Sequence, residues 1–379
     1  RCCSSAASDV YKRQLIDSMN AIKNWLKKIR NKALGLAEIE ELLNEKNREN
    51  QELITQLQHN TNQRNDYIQH SINKLDEQTR NIQESVDILS SPEKLIPQLN
   101  SYTGKYYMAL EYPPSRDYQP RWGYTKPPHS GLSKIFHKDF DEHCQTLENL
   151  AKLKPFFDKI NIYFDHENSG DPAWLKTPLN AFDAALIYYF VTDLKAKNYL
   201  EIGSGVSTLF AARAIKDHNL ETKTLSIDPD PRAEVDAVCD RVIRDGLETC
   251  ELEIFSQLEP GDILFFDGSH RSFMNSDVTV FMMDVLPMIK PGVIIGVHDI
   301  LLPYDYPDSF KNWYWNEQYM FAVYLLAAAN KLKILMPGRY MSFRPELEEA
   351  FSAILKDWKE DRSVWLNGGS LWFTHLENS

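Results

Sequence analysis

The chain has 379 residues, of which 43% are hydrophobic and 25% are charged. This length exceeds one ordinary globular domain and allows two or three structural units with a sizeable buried core. The longest apolar run, residues 320–329, is roughly half the length of a membrane-spanning helix. The composition therefore excludes a chain that is disordered throughout, and it predicts no membrane span.

The formal net charge is −12, and residues 91–379 carry all of it because the charges of residues 1–90 balance. A negatively charged domain repels the phosphate backbone of nucleic acids. We therefore expect no nucleic-acid partner.

Five cysteines are present, and none forms a Cys-x-x-Cys pair with the spacing of metal ligands. This pattern favours a reducing, cytoplasmic setting. Residues 1–14, with the sequence RCCSSAASDVYKRQ, begin without Met and resemble a translated sequencing adapter. We expect this segment not to be native and leave it out of the fold prediction.

Residues 15–90 are almost free of Gly and Pro and are rich in Leu, Ile, Asn, Gln, Glu and Lys. Their apolar residues follow a heptad pattern, which predicts a coiled-coil stalk that joins copies of the chain into a homo-oligomer. A helical hairpin packed on its own domain is the alternative. One register of the pattern contains Met19, Leu26, Ala33, Ile54, Ile68, Leu75, Ile82 and Leu89, and the second contains Ile22, Ile29, Leu36, Leu43 and Leu57.

Prolines at positions 92 and 97 end the predicted stalk. Residues 102–136 combine six Tyr, one Trp and one Phe with five prolines, which is too aromatic for a free tether. We expect residues 91–177 to form an aromatic, Pro-rich linker and a helical subdomain, with a helical pattern at 139–158. The linker either covers an active site or docks the stalk.

From residue 198 onward, short apolar runs alternate with helical patterns, as is typical of a parallel α/β sheet. We expect residues 178–379 to form one domain in which a long helix, residues 316–330, separates the fifth strand from the sixth. Helices are also predicted at 178–194 and 208–216. The seven predicted strands are residues 199–202, 224–227, 241–243, 262–266, 292–297, 332–335 and 371–374.

A glycine-containing turn, Gly203-Ser204-Gly205, follows the first predicted strand, and Asp228 follows the second. Glycine lets backbone amides approach a ligand closely, and an acidic side chain at the second strand can accept both hydroxyls of a ribose. The third glycine of a dinucleotide-binding turn and the Gly-Lys-Ser/Thr of a P-loop are both missing. The pair therefore predicts a nucleoside site.

The segments YLEIGSG, LSIDPD and GDILFFDGSH resemble the first, second and fourth motifs of class I S-adenosylmethionine-dependent methyltransferases. The resemblance covers residues 178–379 and implies a Rossmann-like seven-stranded sheet with the cofactor over the carboxyl ends of strands one to four. It also implies site residues: Glu201, Gly203, Ser204 and Gly205 for the methionine part of S-adenosylmethionine, Asp228 for its ribose hydroxyls and Asp245 for its adenine. One departure is Ser207, which stands where the family usually has a third glycine.

Asp267 and His270 follow the fourth predicted strand, and His298 and Asp299 follow the fifth. We expect these strands to be neighbours, so the four side chains meet at one edge of the sheet. The arrangement resembles the metal-dependent O-methyltransferases, including those that act on macrolide sugars. That resemblance implies that Asp267 and Asp299 bind Mg²⁺, with His298 beside them, and that His270 is the catalytic base.

His298 departs from this pattern, because imidazole is a poor ligand for Mg²⁺. Either the metal is Mn²⁺, Fe²⁺ or Zn²⁺, or His298 contacts substrate in a metal-free site. The segment also resembles cephalosporin hydroxylase-like proteins, which implies an Fe(II) site as a further alternative. In a purely structural alternative, the two aspartates cap the following turns and the histidines hydrogen-bond to them.

The favoured function is transfer of the methyl group of S-adenosylmethionine to a hydroxyl of a sugar or a sugar-bearing small molecule. The aromatic residues 313–319 either stack on the acceptor, with Glu317 and Gln318 as polar contacts, or belong to the core. The other open hypothesis is a cofactor-binding scaffold in a polysaccharide or metabolite assembly.

Overall fold

The computed structural model describes residues 41, 44–51, 65–90, 119–164, 170–231 and 235–377. The chain divides into two compact units, residues 1–113 and 114–379. Among the described helices, none is long and apolar enough to cross a lipid bilayer.

In the first unit, residues 44–51 are helical and α1 spans Asn65–Ser90. Side chains described in α1 are exposed, apart from the half-buried Leu75. Residues 1–14, the rest of the predicted stalk and residues 91–118 of the predicted linker lie outside the described residues. The coiled coil therefore stays a prediction.

A seven-stranded sheet forms the centre of the second unit, in the order β5-β4-β3-β6-β7-β9-β8. All pairs are parallel except those of β9, which runs antiparallel to β7 and β8. The predicted Rossmann-like α/β class is confirmed, and each predicted strand overlaps an observed one. The strands are β3 Asn198–Ile202, β4 Lys223–Ile227, β5 Arg241–Ile243, β6 Ile263–Phe266, β7 Ile294–Val297, β8 Leu332–Pro337 and β9 Leu371–His375.

Helices flank this sheet, and five of them overlap predicted helical regions, namely α3 and α4 in 139–158, α5 in 178–194, α6 at 208–216 and α8 in 316–330. α5 is buried along its first eleven residues, so it is apolar on every side. The helices are α2 Ser130–His137, α3 Phe140–Ala151, α4 Lys154–Phe157, α5 Ala181–Leu194, α6 Val206–His218, α7 Asp277–Val280, α8 Glu317–Ala328, α9 Gly338–Met341, α10 Pro345–Ala350 and α11 Ser352–Asp357.

The core of the second unit continues across the predicted domain boundary at residue 178. Leu132 and Phe136 of α2 and Leu147 of α3 are fully buried in the same apolar cluster as the sheet. Residues 121–129 hydrogen-bond to the loop after β7, through Arg121 N to Asp305 Oδ2 at 2.7 Å among others. A small two-stranded parallel sheet, β1 Asn161–Tyr163 and β2 Ala173–Leu175, was not predicted.

Candidate active site

A cleft of about 910 Å³ opens beside the carboxyl ends of β3, β4, β6 and β7. The register aligns Ile202 with both Ile227 and Phe266, and Phe266 with Val297, so the turns after these strands meet at one edge. The described residues that line the cleft are 178–180, 202–207, 227–230, 246–248, 267–271, 277, 298–299, Phe310, Trp313 and Trp315. The predicted meeting of Asp267, His270, His298 and Asp299 is therefore present in the fold.

Gly203 allows the turn after β3 to pack against the turn after β6. Its φ is +81°, and a Cβ added there would lie 1.8 Å from the carbonyl oxygen of Asp267. Only glycine combines this backbone conformation with such a close approach. The turn thus presents the backbone of residues 203–205 to the cleft.

Asp228 is joined to this turn by hydrogen bonds. Its carboxylate accepts the backbone N–H of Ser204 at 2.7 Å and that of Asp230 at 2.7 Å. The hydroxyl of Ser204 also lies 2.7 Å from that of Ser226. Asp228 also lines the cleft.

Glu201 lies beneath the turn and not on the cleft wall. Its side chain is fully buried and accepts hydrogen bonds from the hydroxyls of Ser207 and Tyr199. Burial raises the pKa of Glu201 to about 8, although hydrogen bonds from Ser207, Thr208 and Tyr199 act in the opposite direction. Glu201 therefore contacts the first turn of α6 through Ser207. The resemblance implied instead that Glu201 contacts the cofactor.

Asp245 is not among the described residues that line the cleft. Its three successors, Gly246, Leu247 and Glu248, do line it. Leu247 gives this wall an apolar side chain.

Asp267, His298 and Asp299 bring one ligand atom each to within 4.8 Å of one another. Nδ1 of His298 lies 3.3 Å from Oδ1 of Asp267 and 3.5 Å from Oδ2 of Asp299. Nε2 of His270 lies 3.7 Å and 3.5 Å from the same two oxygens. Two imidazoles therefore face one pair of carboxylate oxygens.

No motif in the sequence indicates Asp183, whereas Glu317 is expected either at the acceptor or in the core. Both are fully buried, and each approaches the far nitrogen of one histidine. Oε1 of Glu317 lies 2.5 Å from Nδ1 of His270, and Oδ2 of Asp183 lies 3.6 Å from Nε2 of His298. Glu317 is therefore a core residue, as in the second of the two alternatives, and it orients His270.

The carboxylates around the two histidines favour their protonated forms. Burial alone lowers the pKa of His270, but Glu317, Asp267 and Asp299 outweigh it and raise that pKa to about 9. Burial also lowers the pKa of His298, whereas Asp299 and Asp267 raise it well above its ordinary value. Burial raises the pKa of Glu317 to about 7, against the effect of His270. Near pH 8 the chain by itself therefore holds a proton on His270 beside an ionised Glu317.

Aromatic side chains form the wall of the cleft next to His270. The ring centroids of Trp315 and His270 are 4.0 Å apart, and those of Trp313 and Trp315 are 4.8 Å apart. Arg271 donates from Nε to the carbonyl of Trp313 at 2.9 Å, which ties this wall to the turn after β6. Gln318 is buried and accepts the N–H of Leu301, so it is a structural residue and not a polar contact for an acceptor.

Residues 200–300 match a family model described as a methyltransferase domain. Among the solved structures that are similar, TomG, an O-methyltransferase of Streptomyces achromogenes involved in tomaymycin synthesis, was determined with S-adenosylmethionine. It is 17% identical, with a TM-score of 0.27, over 54% of this chain and 81% of TomG. No curated protein matches the sequence.

An O-methyltransferase from Bacillus cereus with S-adenosylhomocysteine is 18% identical, with a TM-score of 0.29, over 50% of this chain and 82% of that one. MycE, from the mycinamycin pathway, was solved with Mg, S-adenosylhomocysteine and mycinamycin VI. It is 13% identical, with a TM-score of 0.32, over 60% of this chain and 54% of MycE.

The similarity to these three structures is weak, so the assignment of the domain rests on the family match and on the sheet. The family match spans β3 to β7 and includes the glycine turn, Asp228 and the Asp267 cluster. The seven strands that the sequence resemblance implied are present, and β9 runs antiparallel to its neighbours, which was not predicted. Residues 200–300 of the second unit are therefore similar to a methyltransferase domain.

Proposed function

We propose that this domain transfers the methyl group of S-adenosylmethionine to a hydroxyl oxygen of a sugar or sugar-bearing small molecule, with a divalent metal ion as helper. The observation that carries the proposal is the cluster of Asp267, His298 and Asp299 on the wall of the cofactor cleft. Such a group of ligands is suited to activating an oxygen acceptor.

In the proposed cofactor pose, the backbone of the turn Gly203-Ser204-Gly205 approaches the methionine part. Asp228 accepts the ribose hydroxyls, because its carboxylate follows β4 and lines the cleft. The adenine lies against residues 246–248. This pose directs the methyl group toward the turns after β6 and β7.

The donor set fits a divalent ion. Metal–ligand bonds of about 2.1 Å place neighbouring ligand atoms roughly 3 Å apart, and the observed separations of 3.3 and 3.5 Å around Nδ1 of His298 need little adjustment. Asp267, His298 and Asp299 would hold the ion. When bound, it polarises the acceptor hydroxyl and lowers the pKa of that hydroxyl.

His270 is the proposed base, and it receives the hydroxyl proton at Nε2. Glu317 holds Nδ1, so the ring is fixed with Nε2 toward the cluster. Asp267 and Asp299 contribute to the raised pKa of His270, so engaging both carboxylates as ligands weakens their hold on its proton. The acceptor oxygen bonds to the methyl carbon as the carbon–sulfur bond breaks, which leaves S-adenosylhomocysteine.

The acceptor class is inferred from the aromatic wall and from the charge. Trp313 and Trp315 line the cleft, and indole rings stack on the apolar faces of sugars. The net charge of −12 disfavours polyanionic acceptors. We place the enzyme in the cytoplasm and infer a homo-oligomer through residues 15–90.

The test is transfer of a deuterated methyl group from S-adenosylmethionine to a panel of monosaccharides and alkyl glycosides, followed by mass spectrometry. We expect a methyl ether whose formation stops with EDTA and falls at least 100-fold in His270→Ala. His143→Ala is the matched control, because His143 is also fully buried but lies in α3, where it contacts Ile334. Equal rates for His270→Ala and the unaltered chain would contradict the assignment of the base.

The cluster of two histidines and two aspartates also favours a second candidate, the Fe(II) hydroxylase-like enzyme. The same assay distinguishes the two. Iron retained on purification, together with an oxygen-dependent product that carries no deuterium, would replace methyl transfer as the function. Cofactor binding without any product would point to the scaffold.

A further inference from the structure

We propose that Asp183 is a positioning residue that keeps Nδ1 of His298 directed at Asp267 and Asp299. The resulting imidazole ligand makes the site select a transition ion such as Mn²⁺, Fe²⁺ or Co²⁺ over Mg²⁺. The inference rests on the proposed function, because it concerns the ion that these three residues would hold.

Asp183 is held rigidly from the side opposite His298. Its Oδ1 accepts the backbone N–H of Ser370 at 2.8 Å and the hydroxyl of the same residue at 2.7 Å. Its Oδ2 accepts the N–H of Gly369 at 2.8 Å. Asp183 lies in the first turn of α5, where the partial positive charge of the helix N-terminus stabilises a carboxylate. A fully buried negative charge is thus fixed beneath His298.

His298 lies between this carboxylate and the cluster. Its Nε2 is 3.6 Å from Oδ2 of Asp183, and its Nδ1 is 3.3 Å from Oδ1 of Asp267. A histidine that binds a metal is neutral, and in the neutral ring a carboxylate near Nε2 favours the tautomer that carries hydrogen there, which leaves the lone pair on Nδ1. Histidine ligands of metals are commonly fixed by such a second carboxylate. Asp183 thereby makes Nδ1 available as a ligand.

A nitrogen ligand changes the ions that the site favours. Mg²⁺ strongly prefers oxygen ligands, whereas imidazole suits Mn²⁺, Fe²⁺, Co²⁺ and Zn²⁺ increasingly well. The two carboxylates alone would not make this distinction. The preference for a transition ion therefore depends on His298 and, through the tautomer, on Asp183.

Asp183→Asn tests the proposal with little change in volume. The N–H and the hydroxyl of Ser370 both donate to Oδ1, and the N–H of Gly369 is shared between Oδ1 and Oδ2. The amide oxygen has to take the place of Oδ1, so the amide nitrogen faces Nε2 of His298 and favours the wrong tautomer. We expect Co²⁺, titrated into the full chain and followed by its visible absorption, to bind 10- to 100-fold more weakly.

Asp262→Asn is the matched control. Asp262 is also buried and accepts two backbone N–H groups, those of Asn198 and Glu259. It precedes β6 and therefore lies at the edge of the sheet opposite the cleft. We expect this variant to lose stability but to bind Co²⁺ within twofold of the unaltered chain.

The variant His298→Glu shows whether Asp183→Asn acts through the position of His298 or through a general loss of structure. This variant should lower the ratio of Co²⁺ to Mg²⁺ affinity at least tenfold, and adding Asp183→Asn to it should then change Co²⁺ affinity less than threefold. Unchanged Co²⁺ binding in Asp183→Asn, or an equal loss in both backgrounds, would overturn the role of Asp183. If the unaltered chain binds S-adenosylmethionine but no divalent ion, both this inference and the metal-assisted part of the proposed function fail, whereas methyl transfer stands.

Discussion

Glu317 and His270 are 47 residues apart in the sequence, yet Oε1 of one lies 2.5 Å from Nδ1 of the other, with both side chains buried. The contact links the first residue of α8 to the turn after β6. It fixes the histidine ring with Nε2 facing Asp267 and Asp299. The orientation of the proposed base thus depends on a residue outside every recognisable motif.

Glu317→Gln should lower the pKa of His270 from about 9 toward its ordinary value of 6.5. The variant keeps a hydrogen-bonding side chain but removes a negative charge that raises this pKa. NMR titration of the His270 ring protons measures the change. Glu248→Gln, across the cleft, should leave the titration unaltered. An unchanged His270 pKa in Glu317→Gln would mean that the negative charge of Glu317 does not raise the pKa of His270.

Gly203→Ala should destabilise the fold by several kcal/mol, since the added methyl group collides with the carbonyl oxygen of Asp267. Gly261 supplies a matched control. Its φ is +90°, similar to that of Gly203, but no atom lies within 4 Å of an added Cβ. Gly261→Ala should therefore cost only about 1–2 kcal/mol, the conformational penalty of a left-handed residue. Urea denaturation of the two variants compares them, and equal losses would refute the close packing of the two turns.

Raising the pH from 5 to 8 should lower the free energy of unfolding through Glu201. Its folded pKa of about 8 exceeds the ordinary value of 4.5, so the folded state binds more protons in this window. The contribution of Glu201 to the free energy of unfolding is then fully present below pH 4.5 and is lost as the pH rises toward 8. Glu201→Gln should remove about 2–4 kcal/mol of this dependence. An equal change of the free energy of unfolding with pH in the unaltered chain and in Glu201→Gln would contradict this prediction.

Trp313→Ala should weaken acceptor binding without affecting the cofactor. Trp313 lines the cleft and is 43% exposed, as is Tyr314, which is not among the described residues on the cleft wall. We expect the KM for the acceptor to rise about tenfold in Trp313→Ala, because stacking contributes roughly 1–1.5 kcal/mol. Tyr314→Ala should change the KM less than twofold. An equal change of the acceptor KM in Trp313→Ala and Tyr314→Ala would place the acceptor elsewhere.

The sequence was sufficient to predict the sheet, because each of its seven strands is a short apolar run bounded by turn residues. It also predicted the meeting of Asp267, His270, His298 and Asp299, since parallel neighbours end at one edge. β1 escaped prediction because its three residues are exposed and show no alternation.

The supporting residues could not be predicted from motifs. Asp183 is the one acid among the first eleven residues of α5, which are otherwise apolar, and its partners Gly369 and Ser370 lie far along the chain. Glu317 begins a helix, so the sequence alone does not indicate which way its side chain points. Glu201 belongs to β3, and successive side chains of a strand point to opposite faces. A shift of one residue therefore decides whether a side chain faces the cleft or the core.

The most direct test of the central claim is calorimetric titration of S-adenosylmethionine and S-adenosylhomocysteine into the full chain and into Asp228→Ala. We predict micromolar binding of both ligands that falls at least tenfold in the variant, because the ribose loses its carboxylate partner. Asp245→Ala, altered outside the cleft wall, should bind as the unaltered chain does. Absence of binding to the unaltered chain would contradict the methyltransferase assignment.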